Sequence, residues 1–141
     1  MIARMEVRKA YQYDDPRGSL SVIDEDALPF PVRRIYYLHG VPLGAIRAEH
    51  GHRQLEQVMI CMHGRITVTL TDGFEREAHV LQNPSELLHV PRGIWRSARF
   101  ELPDSVLCVL ASRPYEPDDY IHSFEEFLAW ARAERKSADA T

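Results

Sequence analysis

Cysteine is scarce. The 141 residues hold two, Cys61 and Cys108, with no Cys-x-x-Cys spacing, which excludes a disulfide framework and a cysteine-rich zinc site. Each lies inside an apolar run, residues 58–62 and 106–110, where a thiol behaves as a small core residue. Long hydrophobic stretches are missing too. No run approaches the ~20 residues of a membrane-spanning helix, and Met1-Ile2-Ala3-Arg4-Met5-Glu6 lacks the apolar core of a signal peptide. The expected location is the cytoplasm. Positive charge is not in excess: the formal net charge is −4, which offers no general attraction to nucleic acid or an anionic membrane, and neither is an expected partner. There is no internal repeat and no low-complexity tract.

What is present is ordinary globular composition, 45% hydrophobic and 27% charged, in a chain long enough for one domain with a real core. Short apolar or alternating segments at 20–23, 32–38, 57–62, 65–70, 77–81, 87–90, 97–102 and 105–112 read as strands. They are separated by turn signals such as Asp72-Gly73, Asn83-Pro84, Pro91-Arg92-Gly93 and Pro103-Asp104. Eight or more short strands at regular spacing predict an all-β fold, a jelly-roll barrel, rather than alternating strand-helix units. The pattern changes once. Ser123-Phe124-Glu125-Glu126 is a capping-box signature, and Phe124, Phe127, Leu128 and Ala131 form a stripe at helical spacing, predicting one C-terminal helix of about three turns. The single domain spans 1–141, with a core expected over about 11–135 and a frayed tail at 136–141.

The chemistry concentrates in Arg47-Ala48-Glu49-His50-Gly51-His52-Arg53-Gln54-Leu55-Glu56-Gln57. In an extended strand, His50 and His52 project from one face, and Gly51 leaves the other face unobstructed. Neutral imidazoles either move protons or ligate a metal. By the same alternation Arg34 and Tyr36 share a face, placing two hydrogen-bond donors side by side. His39, His63, His79, His89 and His122 have no comparable constellation and read as structural or solvated.

Several separated pieces together resemble the sugar-nucleotide 3,4-ketoisomerases, small cupin-fold enzymes. The pieces are Asp15-Pro16-Arg17-Gly18 with Leu20, Pro29-Phe30 before Arg34-Ile35-Tyr36-Tyr37, and Arg47 with His50, His52 and Gln57. Further along come Pro84, Pro91, Trp95-Arg96, the run 106–112, Tyr115 and Asp119-Tyr120-Ile121. The family usually has glycine where this chain has Ala48, a bulky residue at Glu49, and arginine at His122. The resemblance implies a cupin-type jelly roll, usually a homodimer, that needs neither metal nor organic cofactor and acts on dTDP-4-keto-6-deoxyglucose. It implies that His50 and His52 catalyse, and that Arg34, Tyr36 and Arg47 line the site with Gln57. Arg17 is expected at the diphosphate and Trp95 against the base or sugar.

The implied reaction moves a ketone from C4 to C3 of a hexose. The C4 carbonyl acidifies the C3 proton, a base removes it, an enediol forms, and a proton returns at C4. Such proton transfer contributes ~10²–10⁴ in rate, and an ordinary histidine base predicts activity falling below about pH 6. A competing reading is a metal-dependent cupin, a dioxygenase or epimerase, with His50, His52 and Glu56 as a facial triad. Arg96 stands where the second cupin motif would supply a further histidine, and a cation there disfavours a metal. A non-catalytic sugar-binding cupin is the third reading.

Overall fold

The computed structural model describes residues 2–140. In chain order the elements are β1 (Glu6–Lys9), β2 (Tyr11–Asp15), β3 (Gly18–Val22), β4 (Arg34–Leu38), β5 (Ile46–His52), β6 (Gln57–His63), β7 (Ile66–Thr71), β8 (Arg76–Leu81), β9 (Glu86–Val90), β10 (Trp95–Phe100), β11 (Val106–Ala111), β12 (Tyr120–Ile121) and α1 (Phe124–Asp139). Two five-stranded antiparallel sheets, β1-β9-β6-β11-β4 and β12-β5-β10-β7-β8, face each other as a jelly roll, and β2-β3 forms a separate hairpin. Among the described residues no helix is long and apolar enough to cross a membrane.

The main core lies between the sheets and is built from inward side chains such as Met59, Cys61, Val68, Leu88, Phe100 and Val109. The unbroken apolar character of β6 has a second cause. Its alternate residues Val58 and Ile60 face outward and are covered, with Leu87 and Leu110, by Ile23, Leu28, Phe30 and Val32 of the 23–32 segment. A strand buried on both faces has no reason to alternate. The other sheet is covered outside by α1, whose Phe127 and Ala131 are buried with Ile121 against Trp95. Ser123 caps this helix as the capping signature predicts, its side chain accepting from the Glu126 amide.

Three boundaries differ from expectation. The chain before residue 11 is part of the barrel: β1 pairs with β9, and Ile2 and Met5 are buried. The stretch 11–15, outside the segments expected as strands, is a strand paired with β3, the turn falling at Pro16-Arg17. The helix does not fray at 136 but continues to Asp139, well over three turns, because Ala, Arg, Glu and Lys favour helix without needing an apolar partner.

In β5, the pairing with β10 shifts register between Ala98 opposite Arg47 and Arg96 opposite His50. Ala48 sits in this bulge at φ 63°, the left-handed region where glycine is at ease and alanine costs about 1–2 kcal/mol. The bulge changes which face each residue serves. Arg47 and His50 are an odd number apart, yet both reach the same cavity.

Candidate active site

One cavity of about 390 Å³ opens between β4 and β5, a size that suits a small organic ligand. Arg34, Tyr36 and Leu38 come from β4, and Arg47, Ala48 and His50 from β5. Tyr115 and Tyr120 close the remaining side. The alternation expected of β4 holds: Arg34, Tyr36 and Leu38 turn inward, while Ile35 and Tyr37 are exposed.

His50 and His52 do share a face, their rings edge-on with centroids 4.8 Å apart. They are not equivalent. His50 borders the cavity, whereas His52 is wholly enclosed behind it. His52 Nδ1 lies 3.0 Å from Asp119 Oδ2, and that carboxylate also accepts from the backbone N–H groups of Gln54 and Leu55. An acceptor so placed puts the proton of His52 on Nδ1 and leaves Nε2 as a lone pair. Among the described residues neither His50 Nε2 nor His52 Nε2 has a hydrogen-bond partner. Gly51, between them, has its outer face covered rather than open: a Cβ there would lie 2.7 Å from Phe127 Cδ1.

Arg96 is the largest fully buried side chain, and among the described residues no carboxylate forms an ion pair with it. Its Nη2 donates to the Ile94 carbonyl at 2.7 Å, and its Nη1 donates to Gln57 Oε1. A guanidinium can only donate, so this bond fixes the amide of Gln57 and turns its Nε2 toward Tyr36 Oη, 2.9 Å away. The tyrosine oxygen therefore accepts from Gln57, and its own proton is free to point into the cavity. Arg34 lies over the Tyr36 ring at 5.0 Å and donates weakly to Tyr120 Oη at 3.4 Å.

Electrostatics keep the pair neutral. Burial, the Arg96 charge and His122 bring His50 down to about 3. His52 is lowered as well, again chiefly by burial and then by Arg96. Burial brings Arg96 down to about 10, still protonated at neutral pH, and raises Tyr36, which keeps its phenolic proton. The site thus holds two uncharged acceptors beside fixed donors, an arrangement that can take a proton and steady an oxyanion.

Of the residues expected at the site, His50, Arg34, Tyr36 and Arg47 meet at the cavity, and Gln57 supports Tyr36 from behind. Trp95 and Arg17 stand elsewhere in the chain. Trp95 projects to the outer face, packed on Phe124 and Phe127 at 5.3 and 5.9 Å. Arg17 is on the β2-β3 hairpin, its guanidinium 2.6 Å from Asp15. The facial triad does not assemble, because Glu56 Oε1 lies 2.8 Å from His89 Nε2, and among the described residues no three His, Cys, Asp or Glu side chains are grouped to hold a metal. His89, read as having no constellation, thus has a carboxylate partner. Asp119, Tyr115, Tyr120 and His122 were not assigned roles from sequence. Their signal was faint: the strand here is only Tyr120–Ile121, whose alternation brings Tyr120 over both histidines and Ile121 into the core beneath α1, while Asp119 ends the short turn before it.

Two facing sheets with a cavity between β4 and β5, into which an arginine pair, a tyrosine and a histidine reach, define a cupin-type barrel. Within that class the chain belongs to the FdtA family (WxcM-like, C-terminal), whose family model matches residues 3–132. It is 36% identical over 114 residues to the TDP-4-oxo-6-deoxy-alpha-D-glucose-3,4-oxoisomerase of Aneurinibacillus thermoaerophilus, covering 80% of this chain and 82% of that protein. It is also similar to QdtA, a sugar 3,4-ketoisomerase from Thermoanaerobacterium thermosaccharolyticum solved with TDP. There the identity is 30% and the TM-score 0.90, with coverage of 95% of this chain and 98% of the other. A histidine-to-asparagine variant of QdtA is known in complex with TDP-4-keto-6-deoxyglucose. The WlaRB TDP-quinovose 3,4-ketoisomerase of Campylobacter jejuni matches at 32% identity and TM-score 0.84, covering 91% and 99% of the two chains.

Proposed function

We propose that this chain is a sugar-nucleotide 3,4-ketoisomerase, converting dTDP-4-keto-6-deoxyglucose to a dTDP-3-keto-6-deoxyhexose by proton transfer through an enediol. The observation that carries the reading is the uncharged His50 on the cavity wall, beside an arginine and a tyrosine whose proton is directed inward. In this reading His50 takes the C3 proton, and the charge that moves to the C4 oxygen is met by Tyr36 and Arg34. O4 takes up a proton as O3 gives one up, and the proton returned to C4 completes the 3-ketone with its C4 hydroxyl, with no net gain or loss of protons. His52, held by Asp119, backs His50, and Arg47 at the mouth meets the diphosphate.

The metal-dependent alternative loses its carboxylate ligand to His89. A simple sugar binder is separated from an enzyme by turnover. The test is an NMR time course of chelator-treated protein with dTDP-4-keto-6-deoxyglucose in D₂O. A new 3-ketosugar is expected, and His50→Asn should lower its rate by roughly 10²–10⁴. Unchanged turnover in that variant would remove His50 from the chemistry, and no product at all would sink the reading.

The enzyme is further proposed to work as a cytoplasmic homodimer. The β2-β3 hairpin exposes Tyr13 and Leu20, and the sheet-edge strand β4 exposes Ile35 and Tyr37 on its outer face. Apolar surface of this kind beside an unpaired edge suits a second copy. Arg17, outside the cavity of its own subunit, would serve the diphosphate from such a neighbour.

A further inference from the structure

We propose that His122 connects His50 to bulk solvent, so that the proton taken from C3 is exchanged with water before a proton is returned at C4. The inference rests on the ketoisomerase reading and adds the route by which its base is reset.

The geometry leaves His50 few neighbours able to exchange a proton. On one side is His52, fully enclosed and already committed to Asp119. Behind Gly51 the outer face is sealed by Phe127. Arg96, opposite His50 in β10, is wholly buried and permanently charged at neutral pH. Tyr36 and Arg34 face the substrate cavity, where a bound sugar displaces water. The remaining neighbours are Tyr120, whose ring centroid is 5.0 Å from that of His50, and His122 at 6.5 Å. His122 is exposed, and its ring is stacked on Tyr120 at 5.4 Å with an interplanar angle of 12°, which holds it at this distance. Rings so spaced do not bond directly, and the relay therefore requires one water between them, with hydrogen bonds of about 2.8 Å to each side.

The protons balance. The C3–H bond breaks and its proton goes to His50. The imidazolium passes a proton through the bridging water to His122 and on to bulk water. A solvent proton returns by the same path and forms the new C4–H bond.

The experiment follows substrate deuterated at C3 in ordinary water and reads deuterium at C4 of the 3-ketosugar by NMR. The wild-type product should carry mostly solvent protium at C4. His122→Phe keeps an aromatic ring on Tyr120 but cannot exchange a proton, and His122→Arg keeps a polar cationic group that does not release one. Both should raise the retained deuterium several-fold, and added imidazole should restore the loss in His122→Ala. A purely structural role for His122 would slow turnover without changing this partition. Equal retention in wild type and in whichever variants fold would overturn the relay alone, as would complete retention in the wild type. No 3-ketosugar from the wild-type enzyme would overturn the relay together with the ketoisomerase reading.

Discussion

His50 and His52 are the same residue type two positions apart, and what separates them is the company of each ring. His52 has a carboxylate at 3.0 Å and no exposure, while His50 borders open space. Arg96 itself shapes four neighbours: it fixes Gln57, thereby aims Tyr36, and adds to burial in keeping both imidazoles uncharged. This changes the expected pH dependence. A histidine brought down to about 3 stays unprotonated through the weakly acidic range, so it remains a competent base where an ordinary imidazole would already carry a proton. Accordingly kcat/KM should stay flat from pH 8 to about 5, and the acid limb should appear only below that. A pH-rate profile checks this. A limb centred at 6–6.5 would mean that the environment leaves the base at its ordinary value.

Strand β5 shows what a single element has to satisfy. One face carries the histidines, the other receives α1, and a bulge lets Arg47 join His50. Gly51→Ala should therefore destabilise the fold without touching the cavity chemistry, because its methyl meets Phe127 at 2.7 Å. Overpacking of this kind costs about 1–3 kcal/mol. The check is a lowered melting temperature with a normal kcat in the folded fraction; an unchanged melting temperature would show that α1 yields easily. Much of this element was legible beforehand, since period-two alternation dictates that His50 and His52 share a face. The capping of α1 at Ser123 and the apolar stripe through Phe127 were legible for the same reason, both being local. The bulge was not, because Ala48 in a left-handed conformation carries no residue-type signal. Nor was Asp119, whose bond to His52 joins positions 67 residues apart. β1 was missed because Glu6-Val7-Arg8-Lys9 is polar and mostly exposed, its strand character coming from pairing with β9 rather than from its own pattern.

For the whole molecule, the barrel hides its core well yet leaves apolar surface uncovered in two places. The hairpin shows Tyr11, Tyr13 and Leu20 to solvent, and the outer face of the edge strand β4 shows Ile35 and Tyr37. If these surfaces form the proposed subunit contact, sedimentation should give a species of twice 16.3 kDa at micromolar protein. Leu20→Lys should shift it toward the single-chain mass. A single-chain mass for the unaltered protein would leave Arg17 without a substrate to reach.

The two thiols have a consequence for handling. Cys61 and Cys108, the only cysteines in the sequence, are both buried, and burial raises each above the usual thiol range, so neither is readily the reactive thiolate. A cysteine introduced at an exposed position would stand as the one accessible attachment point. A fluorophore or surface tether could be coupled there without first stripping the native residues from the core.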